Sequence, residues 1–332
     1  MTDQLKSLSL ELIDPATERG EAFHLCRQMN QLFCDLLEQN PYQDQFKEDI
    51  FTSGGKAIGT IWAAFCTLEF RRTQQFLRGI YKALENLLAK QQKVHVFYAG
   101  SGPFATLILP FTTLYSSDQL QVTILEINPD SISILHQLIH ALGKSAYFKD
   151  IIQADATEYN LREYEREHTD LFITETMLQG LETEPQVAIS LQLVPQFQKK
   201  VIMIPDEIRI DASLIHAEKR DQYWKQQDLP EEAFIKPLKE IFRWNTNNLL
   251  QFAKSGTKQF PFKKIPIPNP VPEGFGQLCL LTSIRVFGDH HLTLFDTSIT
   301  NPLPVFDLSG DSKEVEFQYQ IGTNPGFLRK LS

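Results

Sequence analysis

The feature that most restricts the fold of this chain is a change of hydrophobic period at residue 94. VHVFYA (94–99) is a short β-rich run that passes directly into Gly100-Ser101-Gly102-Pro103. Four further runs of the same kind follow: QVTILEI (121–127), IIQADA (151–156), LFITE (171–175) and KKVIMI (199–204). Helical periodicity over about 103–115, 130–143 and 184–197 separates them. Strands alternating with helices at this spacing predict βαβ units and an α/β, doubly wound, mostly parallel sheet.

The flanks read differently. Over 17–39 the apolar residues Phe23, Cys26, Met29, Phe33, Leu36 and Leu37 recur at helical spacing. Asn40-Pro41 closes that stretch, because a residue before proline avoids the α region. A second helical stretch is expected over 57–90 with a break inside it. Residues 1–92 therefore form an N-terminal helical region, 93–207 the α/β domain, and 208–332 a third part. Within the third part, 213–260 is charged and reads as a helical insertion, its aromatics Tyr223, Trp224, Phe234, Phe242 and Trp244 packing a helix pair or a subunit contact. From Gln277 onward short β-like runs divided by Gly, Asp, Asn and Pro predict an antiparallel β domain.

The formal net charge of −9 over 332 residues argues against nucleic acid as the main partner, since phosphate binding needs a basic footprint. It is compatible with an acidic pocket for a cationic small molecule. The N-terminal segment lacks a cationic start followed by an apolar block, and no apolar stretch approaches membrane-spanning length, so a cytoplasmic protein with no membrane partner is expected. Cys26, Cys34, Cys66 and Cys279 show no CxxC spacing and read as buried free thiols. His136 and His140 stand one helical turn apart with no third ligand nearby, and no metal site is expected.

The first βα turn concentrates the chemistry. Gly100 and Gly102 allow close backbone approach to a ligand, and a following helix start would offer free N–H groups. Glu126 closes the second strand and can accept from both ribose hydroxyls of a nucleoside. Asp155, followed by Ala156, closes the third strand, where a carboxylate can accept from an adenine amino group. Acids at successive strand ends favour an adenosine site over isolated helix caps. After the fourth strand come Glu175, Glu182 and Glu184, acids able to hold a cation, with Glu182 read as exposed. His290-His291 reads as a solvated turn rather than a general base.

These residues resemble class I S-adenosylmethionine-dependent methyltransferases, and within them the protein arginine methyltransferase branch. Glu69-Phe70-Arg71-Arg72-Thr73-Gln74-Gln75-Phe76 looks like the family's D-x-x-R-T-x-x-Y helix, which implies that Arg72 binds the cofactor's carboxylate. Gly100-Ser101-Gly102-Pro103 is similar to its glycine loop, with Tyr98 where an acid often stands. The resemblance implies Glu126 at the ribose and Asp155-Ala156 at the adenine. Glu175 and Glu184 have the separation of the family's paired glutamates, which implies a guanidinium clamp. Ile204-Pro205-Asp206 resembles the turn into its β-barrel. Thr300-Asn301-Pro302 stands where the family reads Thr-His-Trp. The expectation is methyl transfer from S-adenosyl-L-methionine to a nitrogen of a small amine, amino acid or guanidino acceptor. Aminocarboxypropyl transfer, cyclisation of the cofactor and a non-catalytic binding module are the alternatives. The family also suggests a homodimer.

Overall fold

The computed structural model describes residues 1–226, 229–257, 259–308 and 312–332. Two helices, α1 (Thr2–Ile13) and α2 (Arg19–Asp35), lead to a hairpin of β1 (Ile50–Thr52) and β2 (Gly55–Ala57), then α3 (Thr60–Phe65) and α4 (Phe70–Leu88). The α/β part comprises β3 (Val94–Ala99), β4 (Leu120–Glu126), α5 (Pro129–Ala141), β5 (Phe148–Gln153), α6 (Glu163–His168), β6 (Thr169–Thr174), α7 (Gln186–Leu193) and β7 (Ile202–Ile204). Then follow β8 (Glu207–Ile215), α8 (Ala217–Gln226), β9 (Ile235–Asn245), α9 (Thr246–Ser255), β10 (Lys263–Pro266), β11 (Gln277–Phe287), β12 (His290–Leu292), β13 (Leu303–Asp307), β14 (Glu314–Gln320) and β15 (Gly326–Leu331).

The central sheet has the order β5-β4-β3-β6-β7, with every pairing parallel. β3 and β6 are buried along their whole length. That is why their sequences are continuous apolar runs, for strands covered on both faces have no solvent side to mark with polar residues. Helices α4, α5 and α7 pack against this sheet. The chain starts at β3 in the middle and reverses direction of winding between β3 and β6. In open α/β sheets the crevice outside the carboxyl ends at such a switch point is where ligands bind.

The C-terminal region is antiparallel: one sheet runs β12-β11-β8-β9 with β13 also on β11, and a second runs β10-β14-β15. Their shared core holds Phe242, Trp244, Phe260, Phe317, Tyr319 and Phe327. Trp244 donates its indole N–H to Ser190 Oγ at 2.8 Å, tying this core to α7.

Two sequence expectations are corrected here. The segment 213–260 is not a helical insertion: α8 and α9 flank the eleven-residue strand β9, which pairs with β8. In Ile241-Phe242-Arg243-Trp244 the apolar residues are buried and Arg243 is exposed, so the charges that looked helical mark the outer face of a strand. The aromatics divide accordingly: Tyr223, Trp224 and Phe234 gather around Phe295, whereas Phe242 and Trp244 belong to the C-terminal core. The stretch 103–115 also forms no α-helix, only a single 3₁₀ segment at Leu109–Thr113. Pro110, in the interior of that stretch, removes a backbone donor that an α-helix there would need.

Candidate functional site

The carboxyl edge of the central sheet opens into a cleft of about 1010 Å³, its open mouth included. All ten residues singled out in the sequence line it: Arg72, Tyr98, Gly100, Ser101, Gly102, Glu126, Asp155, Ala156, Glu175 and Glu184.

The glycine turn after β3 is shaped by two positive backbone angles, φ +73° at Gly100 and +62° at Gly102. A Cβ on Gly100 would stand 2.3 Å from Thr176 Cγ2, so the β3 and β6 loops touch through the space that a side chain would fill. Because no α-helix follows, no helix N-terminus lies under this turn. The Gly102 N–H instead donates to Glu126 Oε2 at 2.9 Å. Glu126 Oε1 accepts from the N–H groups of Ile127 and Asn128, each at 2.9 Å. Glu126 is only 7% exposed, and burial raises its pKa against the lowering effect of those backbone donors. This carboxylate thus ties the glycine loop to the end of β4.

At the next strand end Asp155 Oδ1 accepts from Thr157 N at 2.8 Å and Thr157 Oγ1 at 2.7 Å. Its second oxygen makes no hydrogen bond among the described residues. Ala156 is buried beside it, and Ser101 donates to the Gly102 carbonyl at 3.0 Å. Tyr98 is buried in the cleft wall, and burial pushes its phenol up.

The opposite wall carries the remaining charges. Arg72 sits in the first turn of α4, 9% exposed, where that helix passes beneath β3 and β6. Its guanidinium ion-pairs with Glu175 Oε2, and its Nη1 lies 3.6 Å from Cys66 Sγ. Glu175 Oε1 is buried with no hydrogen-bond partner. Glu184 is 9% exposed and its carboxylate makes no hydrogen bond or ion pair among the described residues. Burial pushes it up to about 7, opposed by the charges of Arg72 and Lys56 and assisted by Asp49.

The loop that carries these acids is held from several sides. Gln186 accepts from Thr176 N at 2.9 Å and donates to Thr174 O at 3.0 Å. Thr282 Oγ1 accepts from Gly180 N, and Tyr319 donates to Leu181 O, both at 3.0 Å. Glu182, expected in solvent, ion-pairs with Arg329 of β15. Leu181 and Thr183 have φ +57° and +63°, a region non-glycine residues enter only where the surroundings enforce it.

The hairpin β1–β2 adds an element beyond the sequence reading, its signal being Ser53-Gly54-Gly55 between β-compatible residues. It lies over the cleft. Ser53 Oγ reaches Glu158 at 2.6 Å, and Lys56 N donates to Thr183 O at 2.8 Å. Thr52 and Lys56 join the lining, with Lys56 Nζ 2.9 Å from Asp49 Oδ2. Cys66 also lines the cleft and is half-buried, not sealed in the core. By contrast, His290 and His291 lie on β12 outside the cleft. The loop 297–302 is docked on Glu69, whose carboxylate accepts from Thr297 Oγ1 at 2.5 Å and Ser298 N at 3.1 Å, and none of its residues lines the cleft. No helix among the described residues is long and apolar enough to cross a membrane.

No protein-family model and no curated protein matches the sequence. Among solved structures, the crystal structure of PRMT6 is similar, with a TM-score of 0.54 at 10% sequence identity, covering 79% of this chain and 96% of that one. At that identity the likeness shows the fold alone: a parallel α/β sheet joined to a C-terminal antiparallel β region.

Proposed function

We propose that the chain is an S-adenosylmethionine-dependent methyltransferase acting on a nitrogen of a small amine, amino acid or guanidino acceptor. One observation carries the reading: residues scattered from 72 to 184 in the sequence share a single cleft at the switch point of the sheet. The donor set fits the cofactor. The turn at Gly100 and Gly102 presents bare backbone to the cleft, Arg72 suits a carboxylate, and acids at two strand ends suit a nucleoside. When bound, the cofactor supplies a sulfonium whose methyl carbon is already electrophilic, so the protein contributes alignment and charge.

In this reading Arg72 holds the cofactor's carboxylate, a duty no helix N-terminus shares. Glu126 faces the ribose while keeping the glycine loop in place. The free oxygen of Asp155 accepts from adenine, with Ala156 and Tyr98 as apolar walls and Ser101 fixing the turn. Glu175 and Glu184 neutralise a cationic acceptor. Glu184, titrating near 7, is suited to take the proton that the attacking nitrogen loses.

The test is incubation of the purified protein with S-adenosylmethionine and a panel of small amines, amino acids and guanidino compounds, with mass analysis of the products. S-adenosylhomocysteine is expected. Methylthioadenosine in its place would move the chemistry to aminocarboxypropyl transfer or cyclisation. Failure of the protein to bind S-adenosylhomocysteine in calorimetry would refute the cofactor assignment.

A further inference from the structure

Arg72 has a partner within the chain, and that partner is one of the two acids assigned to the acceptor. The Arg72 guanidinium pairs with Glu175 Oε2, while Glu175 Oε1 is buried and unpartnered. Among the described residues lining the cleft, two are cations, Arg72 and Lys56, and Lys56 is already matched by Asp49 at 2.9 Å. With no α-helix after the glycine turn, the usual backbone site for an anion is missing as well. A carboxylate entering the cleft is therefore directed to the guanidinium that Glu175 holds.

We propose that Glu175 is an internal competitor for the cofactor's carboxylate, and that its displacement from Arg72 couples cofactor binding to capture of a cationic acceptor. This rests on the cofactor assignment above and gives Glu175 a second duty. Once Arg72 is taken, Glu175 stays buried without a countercharge, in the same cleft as the unpartnered Glu184. Buried carboxylates left unpaired are costly, and an acceptor cation offsets that cost. Cofactor binding first and cation second follows. By linkage, the cation strengthens carboxylate binding at Arg72 by the same factor.

The sign of one substitution separates this from the other role open to Glu175, direct contact with the cofactor's ammonium. Calorimetry compares S-adenosylhomocysteine with methylthioadenosine, which shares the nucleoside and lacks the amino-acid moiety. Glu175→Gln is expected to bind S-adenosylhomocysteine more tightly than the unmodified protein, by roughly tenfold, with methylthioadenosine affinity unchanged. Glu175→Asp, whose shorter reach loosens the pair, should move the same way by less. Weaker S-adenosylhomocysteine binding in both variants, or equal shifts for the two ligands, overturns the proposal. A measurement on the unmodified protein stands independently of how the variants fold: methylguanidine should bind roughly tenfold more tightly with S-adenosylhomocysteine saturating than with methylthioadenosine saturating. Equal affinities overturn the coupling. If the unmodified protein binds neither nucleoside, the cofactor assignment fails first and is identified as the failure.

Discussion

Replacing Glu184 by Gln should make the protein more stable, and increasingly so as the pH rises. Burial lifts this carboxyl from the ordinary 4.5 to about 7. Below about pH 4.5 the folded and unfolded chains both hold the proton, and the group costs nothing. As the pH rises from there, the unfolded chain ionises while the folded one does not, so stability is lost until the folded group also ionises near 7. The gap between 4.5 and about 7, at about 1.4 kcal/mol per tenfold, gives a plateau penalty of roughly 3 kcal/mol. The side chain is 9% exposed, so solvent screening takes little from this figure. The neutral, isosteric amide escapes the penalty. Urea unfolding should show Glu184→Gln ahead by roughly 1 kcal/mol at about pH 5.5 and by roughly 3 kcal/mol at about pH 8.5. The same variant should lose most turnover and keep its affinity for S-adenosylhomocysteine. A stability difference independent of pH, or one favouring the glutamate at high pH, would mean that the carboxylate is solvated or paired in solution, and the reasoning would fall.

Three further outcomes are expected. Gly100→Ala should abolish binding of S-adenosylhomocysteine and lower stability by at least ~1 kcal/mol, because φ is +73° and the new methyl meets Thr176; retained affinity in calorimetry would place the ligand elsewhere. Iodoacetamide at about pH 8 should label Cys66 first, with S-adenosylhomocysteine protecting it, since burial pushes the Cys26 and Cys279 thiols up to about 12 and Cys34 up to about 11. Peptide mapping that finds Cys34 labelled first would count against this. Glu182→Gln should cost ~1 kcal/mol in thermal unfolding, because its pair with Arg329 is only partly buried, yet reduce turnover more, by loosening the loop that carries Glu175 and Glu184. Unchanged turnover would show that the loop is held without it.

The parallel sheet was legible because its central strands, β3 and β6, are buried on both faces and therefore written as nearly unbroken apolar runs. The glycine-turn end of the cleft was legible for a related reason: strand ends in such a sheet lie along one edge, so Gly100, Glu126 and Asp155 had to be neighbours once the order of strands was known. What escaped depends on tertiary context. Ile235–Asn245 has no clean alternation, with adjacent Ile241 and Phe242 both buried and two register shifts against β8, and only that pairing makes it a strand. The three-residue strands of the hairpin at 50–57 are too short to carry a period, so the cover of the cleft had to be seen. The engagement of Glu126 with Gly102 was likewise invisible, whereas Pro110 was a readable sign against a helix over 103–115.

The features that cost the fold stability gather in one short loop. Leu181 and Thr183 occupy the left-handed region, Glu175 buries an unpartnered oxygen, and Glu184 buries a carboxylate with no hydrogen bond. Each of these is unfavourable alone, and chains seldom keep several together without a use. The anchors around the loop come from every neighbouring part of the molecule: Lys56 from the hairpin, Gln186 from α7, Thr282 from β11, and Tyr319 and Arg329 from β14 and β15. A loop so heavily restrained is not relaxing to relieve its charges. It holds acidic groups in a buried cleft, and in the proposed reading a cationic acceptor is the partner that offsets their cost.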